Sequence, residues 1–373
     1  RYGDVESTPT SVNFTTRSNI DYGIASTTLA GSELISSSDI IFGFEVMNGK
    51  TYVARYNPSG GIFITAYNAD GSQYGSGYLI AETPVVSPGS LSLTSGDNYL
   101  YLTHRGTGDY NTLIRLKPDL KVSQTTIVTD VSTLDYAHAD YANGKLFVTG
   151  CVPGADNIGV NQYLYLYTTP ATELSTRVEV ASYSSPTGSA SSIRICHDDK
   201  NLYWGRISSS GLMVERLPLS ITAPMPQNIL KDLYMPGSTF DIDQFAFGGN
   251  NIYAKVWTGD AWEDFYIDIN SGYARKEAGD TRGIYAADIK GRVWMGENSA
   301  GTYYIQLAAD GKVEKNLQIQ DFPNSTSPPT PPTPPTPGVA AKVDSMTGSF
   351  NMLYRYYDGN FTYLKVFNYP ASY

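Results

Sequence analysis

The sequence predicts an all-β protein built from repeated small antiparallel sheets, and three observations support this fold class. A tight polar turn followed by an apolar, aromatic strand recurs about every 40 to 60 residues, a period typical of repeated β-units. The composition includes 30 Tyr and 35 Gly residues, which favour strands and turns respectively. No stretch of about 11 or more residues follows the hydrophobic period of an amphipathic helix.

The turn-and-strand unit can be followed along most of the chain. Most copies begin with Asn, Asp or Gly, which tolerate the positive φ that a tight hairpin requires. The copies are Asn48–Val53, Gly96–Tyr101, Asn143–Val148, Asp198–Tyr203, Gly248–Tyr253, Lys290–Trp294 and the degenerate Thr347–Tyr354.

Each unit continues with a partner strand that ends in a second turn, such as Ile64–Tyr67 before Asn68–Gly71. The innermost strand is typified by Ser191–Ile195 and Asp241–Phe245, and the outermost by Gln227–Leu230. Four antiparallel strands per unit are typical of propeller blades. The predicted fold is therefore a seven-bladed β-propeller of four-stranded antiparallel blades.

The predicted domain organisation has four parts. Residues 1–20 form an N-terminal extension, and residues 21–323 hold blades one to six together with a closing strand. Residues 324–338 form a Pro/Thr-rich linker, and residues 339–373 hold the last strands. The low-complexity stretch Ser327–Pro337 is expected to adopt polyproline II.

The last strands, Phe350–Tyr357 and Asn360–Asn368, must join a sheet, because an isolated two-stranded hairpin is marginally stable. Two interpretations stay open. The strands complete blade seven of their own ring, with Asp21–Leu29 as its outermost strand. Alternatively, the linker carries them to a neighbouring molecule, and this head-to-tail contact propagates into a filament unless its rotation closes.

The net charge and the sequence motifs limit which classes of binding partner and which cellular location are expected. The net charge is −10 and no basic cluster occurs, so nucleic acid is not an expected partner. No apolar run approaches the roughly 18 residues of a membrane span. The chain starts with Arg1, which indicates a removed signal segment or a fragment. Glycosylation acceptors at Asn13, Asn324 and Asn360 favour an extracellular, cell-surface or virion-surface glycoprotein.

The two cysteines, Cys151 and Cys196, fall in neighbouring units. Because adjacent blades pack face to face, a disulfide between them is geometrically possible. Two buried thiols agree equally well with the sequence.

Histidines and carboxylates supply the candidate chemistry. His104, His138 and His197 lie in successive units, but the blade plan places His104 and His197 on opposite faces, so no shared metal site is expected. Asp241 and Asp243 alternate on an inner strand and could line the central channel. No nucleophile elbow, phosphate-binding glycine loop or zinc-protease motif occurs, and no cofactor is expected.

An aromatic loop is the other candidate binding feature. Trp257, Asp260 and Trp262 lie in one predicted connection between second and third strands. Tryptophan beside a carboxylate suits sugar stacking with hydroxyl hydrogen bonds, and also suits a protein contact. Trp257 could equally pack between blades.

The turn-strand copies resemble the β-propeller superfamily over about residues 20 to 370, at the level of architecture. Leu202–Gly205 resembles the YWTD type and Asp268–Gly272 is similar to quinoprotein-like repeats, but neither recurs. The superfamily includes lectins, lyases, hydrolases and scaffolds, so the resemblance implies a shape and not an activity.

Three functions follow as expectations. The first is a secreted, non-enzymatic assembly protein of a filament, cell-surface layer or virion appendage, which self-associates through its C-terminal strands. The second is an adhesin or lectin that binds glycans or cell-surface proteins through Trp257 and Trp262. The third is a polysaccharide lyase or hydrolase at the channel mouth, with Asp241, Asp243 or His138 as its acid–base group.

Overall fold

The computed structural model describes most of the strand-forming parts of the chain. The described residues are 20–24, 27–31, 39–58, 61–80, 91–105, 111–127, 135–153, 160–168, 177–185, 193–208, 211–220, 227–229, 241–248, 250–258, 260–276, 283–287, 292–299, 302–309, 312–319, 340–344, 349–357 and 362–369. The Pro/Thr-rich linker and the acceptors Asn13, Asn324 and Asn360 lie outside these residues.

All regular elements of the described residues are β-strands, and none of these residues belongs to a helix that could cross a membrane. The strands of the first half are β1 Ile20–Ile24, β2 Thr27–Thr28, β3 Ile40–Met47, β4 Lys50–Asn57, β5 Gly61–Tyr67, β6 Tyr78–Ile80, β7 Ser92–Gly96, β8 Tyr99–Arg105, β9 Asn111–Leu116, β10 Val122–Ile127, β11 Asp135–Ala142, β12 Lys145–Pro153, β13 Val160–Thr168 and β14 Arg177–Ser185.

The strands of the second half follow the same order of short antiparallel hairpins. They are β15 Arg194–His197, β16 Asn201–Ser208, β17 Gly211–Pro218, β18 Gln227–Asn228, β19 Asp241–Gly248, β20 Asn251–Trp257, β21 Trp262–Asp268, β22 Ala274–Lys276, β23 Gly283–Ala287, β24 Arg292–Ser299, β25 Thr302–Ala309, β26 Lys312–Ile319, β27 Ala340–Val343, β28 Phe350–Tyr357 and β29 Thr362–Tyr369.

The strands form a propeller of small sheets. Sheets 1 to 5 take four consecutive strands each: β3–β6, β7–β10, β11–β14, β15–β18 and β19–β22. Sheet 6 holds β23–β26 with β1 added at its outer edge, and sheet 7 holds β27–β29 with β2. Six sheets thus have the predicted four strands, whereas the prediction is wrong for sheet 6, which has five.

The first strand of each sheet lies at the centre of the molecule. β3, β7, β11, β15, β19, β23 and β27 contact one another in succession, and β27 also contacts β3. These strands therefore surround a central channel, and the chain closes the ring with its own C-terminal strands.

The turns between first and second strands adopt the predicted conformation. Asn48 and Gly49 have φ values of 55° and 69°, and Asn143 and Gly144 have 47° and 74°. Positive φ at both central residues is the requirement of a type I′ hairpin, which Asn-Gly meets with little strain.

The N-terminal closing segment, residues 20–30, differs in part from the prediction. Thr27–Thr28 pairs antiparallel with β29 and is the outermost strand of sheet 7, as expected for ring closure. Asp21–Ile24 was predicted to belong to the same strand, but it lies in β1, which pairs in parallel with β26 of sheet 6. Without β1, the outer edge of β26 would expose unpaired backbone N–H and C=O groups. β1 pairs with this edge.

Apolar cores fill the spaces between neighbouring sheets. The core between sheets 2 and 3 includes Tyr101, Leu113, Leu146, Val148 and Tyr167. Close approach depends on small residues: a Cβ added at Gly96 of β7 would lie 2.1 Å from the ring of Tyr141 in β11. Face-to-face packing of this kind supplies the main stabilisation of the ring.

Cys151 and Cys196 are free, buried thiols, which is the second of the two arrangements that the sequence left open, and no disulfide joins them. The physical reason is their position on different interfaces. Cys151 packs in the core between sheets 3 and 4, whereas Cys196 packs in the core between sheets 4 and 5. Burial also raises the pKa of the Cys196 thiol well above its usual value, so this thiol stays protonated.

Candidate functional site

A cross-strand row in sheet 5 brings together three residues that the sequence singles out. Asp241 of β19 pairs with Trp257 of β20, and Trp257 pairs with Trp262 of β21. Asp260 lies in the exposed turn between the two tryptophans. We call Asp241, Trp257, Asp260 and Trp262 the tryptophan row. Asp243 falls at an irregularity in the β19–β20 pairing.

The two indole rings of the tryptophan row contact each other directly. Their centroids lie 5.6 Å apart and their planes are tilted by 59°. Trp262 is 43 % exposed, whereas Trp257 is half-buried. The turn is fixed by the Thr258 amide and hydroxyl, which both donate to the Ala261 carbonyl at 3.0 and 3.1 Å. The side chains of Asp241 and Asp243 lie outside what the structure describes.

A second candidate site, the channel-mouth cluster, lies near the opposite ends of the inner strands. It consists of Glu45, Ser95, Asp140, His197 and Lys342, which come from sheets 1, 2, 3, 4 and 7 respectively. The Lys342 Nζ lies 2.9 Å from Glu45 Oε1, and the Ser95 hydroxyl donates to Glu45 Oε2 at 2.9 Å. His197 Nδ1 lies 2.7 Å from Asp140 Oδ2. Polar contacts thus join the inner strands in two separate groups, those of sheets 7, 1 and 2 and those of sheets 3 and 4.

The charges of the channel-mouth cluster influence one another. Burial raises the pKa of Glu45, while Lys342 and Ser95 act in the opposite direction. Asp140 raises the pKa of His197 against the effects of desolvation and of Lys342. For Lys342, desolvation lowers the pKa, but Glu45 and Asp140 outweigh it and the net direction is upward.

The pKa of His138 shifts in the opposite direction to that of His197. Desolvation lowers the pKa of His138 well below its usual value, and the charges of Arg194 and Lys342 add to this effect. The imidazole of His138 is therefore neutral at pH 7. His104 is buried in β8. Within the described residues, no group of three or more His, Cys, Asp or Glu side chains could hold a metal ion.

Asp198 has the structural role that the turn pattern predicts. Its carboxylate accepts the Lys200 and Asn201 amides at 2.7 and 2.5 Å and the Tyr203 hydroxyl at 2.7 Å. The carboxylate therefore closes the turn between β15 and β16, as an Asx turn does.

The sequence did not single out Glu45, Ser95 or Lys342, although a signal for the first two exists. Glu45, Asp140 and Ser95 each lie two or three residues before the turn that ends the inner strand. Equivalent positions in repeated strands lie at one level around the axis, so polar residues at this offset could have been grouped. Lys342 precedes the degenerate copy Thr347–Tyr354, in which the spacing between the polar residue and the turn differs from that of the other copies.

His197 and His138 are expected to contribute to the free energy of unfolding with opposite dependences on pH. The raised pKa of His197 means that its ion pair with Asp140 stabilises the fold fully below about pH 6.5 and is lost as pH rises through the folded pKa. Relative to His197→Gln, the wild type should gain about 0.5 to 1 kcal/mol at pH 6 and less at pH 8.5. Urea unfolding at both pH values measures this difference.

His138→Gln is the matched comparison. Because the folded pKa of His138 is depressed, its stability contribution is present above about pH 6.5 and declines as pH falls. If the free energy of unfolding changed with pH in the same way in both variants, the assignment of opposite electrostatic environments to the two histidines would be wrong.

The comparisons with known proteins concern the fold. No protein-family model matches the chain, and no curated protein matches it. A puromycin hydrolase structure is similar at 11 % identity and a TM-score of 0.50, covering 86 % of this chain and 50 % of that chain. A structure from an analysis of two prolyl endopeptidases is similar at 10 % identity and a TM-score of 0.50, covering 90 % and 51 %.

This chain spans about half the length of those two proteins. A polysaccharide lyase is 12 % identical over 91 % of this chain and 92 % of that chain, with a TM-score of 0.49. At these identities the likeness shows the fold alone.

Proposed function

We propose that the chain is a secreted glycan-binding protein, in which the tryptophan row of sheet 5 forms the sugar platform. In this proposal the ring is a seven-bladed propeller, and the five-stranded sheet 6 is one of its blades. The observation that supports the binding function best is the 43 % exposure of Trp262 beside the tilted ring of Trp257.

The chemistry of the tryptophan row suits a sugar. Sugar rings present apolar faces that stack on indole, and their hydroxyl groups need polar partners nearby. Trp262 offers the exposed face and Asp260 offers a carboxylate in the adjoining turn. A purely structural tryptophan would be expected to bury more of its surface.

Trp262→Ala should reduce glycan binding at least about tenfold, or about 1.4 kcal/mol, because it removes the exposed indole face on which the sugar would stack. Stability should fall by only about 1 to 2 kcal/mol, because Trp262 is 43 % exposed and the variant removes its ring contact with Trp257. A glycan array on the full chain identifies the ligand. Calorimetry with that ligand then measures the loss of affinity in Trp262→Ala.

Tyr273→Ala is the matched control. Tyr273 lies in the turn between β21 and β22, at the far end of β21 from Trp262, and is 57 % exposed. Its removal should leave glycan binding unchanged. A wild type that binds no glycan, or a Trp262→Ala variant that binds as tightly as wild type, removes the proposal.

An assembly role in a filament, cell-surface layer or virion appendage is a separate proposal. The described last strands pair with Thr27–Thr28 of the same chain, so exchange between chains is not needed to complete sheet 7. Native mass measurement tests this role. A monomer at high concentration would remove the filament, whereas an oligomer lost on truncation after Pro337 would support strand exchange.

The enzymatic alternative is tested by turnover. A lyase acting on polyuronates forms an unsaturated product that absorbs in the ultraviolet, and a hydrolase releases reducing ends. Turnover by the wild type that is lost in His138→Gln would favour catalysis at the channel over binding alone.

A further inference from the structure

The connection between β20 and β21 places an exposed carboxylate beside an exposed indole. The Thr258 amide and hydroxyl both donate to the Ala261 carbonyl, so Asp260 lies at the tip of this hairpin, two residues before Trp262. Asp260 is exposed, and Trp262 is 43 % exposed. A ligand that stacks on the indole of Trp262 therefore has a carboxylate two residues away.

The negative charge of Asp260 is not matched by a cation, unlike the charges around it. Lys276 Nζ lies 2.7 Å from Glu263 Oε1. Lys255 lies directly opposite Asp264 in the β20–β21 pairing, and opposite charges at such positions attract. Among the described residues, no hydrogen bond or ion pair involves the Asp260 carboxylate. Both lysines of the sheet 5 strands thus face other carboxylates, and the hairpin tip keeps its negative charge.

Arg275, the remaining cation of the sheet 5 strands, lies away from the hairpin tip. Its guanidinium lies 5.2 Å from the centroid of the Tyr266 ring. Tyr266 is four residues along β21 from Trp262, a separation of about 13 Å in an extended strand. The tip therefore offers a ligand an aromatic face and a negative charge, without a neighbouring guanidinium.

An indole beside a carboxylate suits a positively charged group better than a neutral one. The electron-rich face of an aromatic ring attracts an ammonium group, and the attraction is strongest for Trp. A carboxylate adds a charge-assisted hydrogen bond to the same group. The net charge of −10 also attracts cationic ligands at long range. A neutral sugar would use the stacking surface but not the charge of Asp260.

We propose that the tryptophan row binds an amino sugar, whose ring stacks on Trp262 and whose ammonium group donates to the Asp260 carboxylate. This inference rests on the proposed glycan-binding function and adds the class of glycan. The preferred ligand carries free amines, as a polymer of glucosamine does. N-acetylation removes the positive charge, so the N-acetylated sugar binds more weakly.

Calorimetric titration of the full chain tests this preference with the tetramers of glucosamine, N-acetylglucosamine and glucose. At about pH 6 the sugar amine is protonated, and the glucosamine tetramer should bind at least about tenfold more tightly than the other two. Its affinity should fall as salt rises from about 20 to 200 mM, because exposed charges are screened. Equal binding of the three tetramers overturns the inference but leaves the sugar platform standing, whereas a protein that binds no glycan loses both.

Tetralysine distinguishes an amino sugar from a lysine-rich protein segment. It carries four side-chain ammonium groups but no sugar ring, so it should bind at least about tenfold more weakly than the glucosamine tetramer. Equal or tighter binding of tetralysine would mean that the tryptophan row recognises the amines of a protein partner, which overturns the proposal.

Asp260→Asn tests the role of the carboxylate. It should weaken the glucosamine tetramer at least about fivefold and leave the affinity for the glucose tetramer unchanged. The fold should be unaffected, because Asp260 is exposed. Asp119→Asn is the matched control, since Asp119 is a turn carboxylate of sheet 2 beside Lys121 at 3.1 Å and its loss changes the net charge equally.

The control variant should bind the glucosamine tetramer as the wild type does. An equal loss in Asp260→Asn and Asp119→Asn would mean that the net charge of the chain attracts the ligand. An unchanged affinity in Asp260→Asn would mean that its carboxylate does not contact the amine. Either result overturns the assignment.

Discussion

Deletion of residues 1–30 should lower the free energy of unfolding by about 3 kcal/mol or more, because the N-terminal closing segment joins three neighbouring sheets. β1 pairs with sheet 6 and β2 pairs with sheet 7. The Ala30 amide then donates to the Gly71 carbonyl of sheet 1 at 2.9 Å. Thermal unfolding should show a midpoint about 4 °C lower or more.

Leu29 contributes a large share of the expected loss. It is 2 % exposed, packs in the core between sheets 7 and 1, and donates its amide to the Leu364 carbonyl at 3.0 Å. Leu29→Ala alone should cost about 2 to 4 kcal/mol by creating a cavity at the closure.

Deletion of residues 1–19 is the matched control, since it leaves β1 and β2 intact. This shorter deletion should keep stability within about 1 kcal/mol of wild type. Stability of the longer deletion close to that of the shorter one would show that residues 20–30 do not close the ring.

The blade plan could be predicted because it depends on local chemistry. Asn48–Gly49 and Asn143–Gly144 specify tight turns by themselves, and the strands between such turns are specified by apolar and aromatic residues. The last hairpin, Phe350–Tyr357 with its partner, was predicted nearly to the residue. Each of these features can be read within about ten residues of sequence.

Features that depend on distant pairing could not be predicted to the same degree. Ile20–Ile24 is a strand on any local criterion, but nothing in it states that its partner is the edge of sheet 6. The choice between a disulfide and two free thiols at Cys151 and Cys196 stayed open for a related reason, because neighbouring positions in the repeat do not specify which face of a sheet each thiol occupies.

The two candidate sites show the same division. The tryptophan row is nearly continuous in sequence, so Trp257, Asp260 and Trp262 could be grouped before the fold was known. The channel-mouth cluster draws one residue from each of five sheets. Its contact between Glu45 and Lys342 exists because the ring closes between sheets 7 and 1, and closure is the step that the sequence left open.

A buried ion pair in sheet 4 links that sheet to sheet 3. Arg206 Nε donates to Glu215 Oε2 at 2.9 Å and its Nη2 donates to Oε1 at 3.2 Å, with both side chains less than a tenth exposed. The Tyr183 hydroxyl of β14 donates to Glu215 at 3.2 Å. The guanidinium lies 3.7 Å from the centroid of the Tyr183 ring. The carboxylate of Glu215 thus balances a buried cation that stacks on the ring of Tyr183.

Glu215→Ala should therefore destabilise the protein by about 3 to 5 kcal/mol, because it leaves the Arg206 guanidinium buried without a counter-charge. Replacement of both partners, as Arg206→Met with Glu215→Leu, should recover most of this loss, since a buried ion pair contributes little beyond an apolar pair of similar size. Urea unfolding of the single and double variants separates the cost of an orphaned charge from the value of the pair.

Glu263→Ala is the matched control for Glu215→Ala. Glu263 lies on β21, the third strand of sheet 5, as Glu215 lies on the third strand of sheet 4. Its partner Lys276 is 2.7 Å away but 56 % exposed, so water can solvate the ammonium once the carboxylate is removed. The control should cost about 1 kcal/mol or less. A similar loss in both variants would mean that burial does not set the cost at Glu215, and the ion pair would then act as an ordinary surface contact.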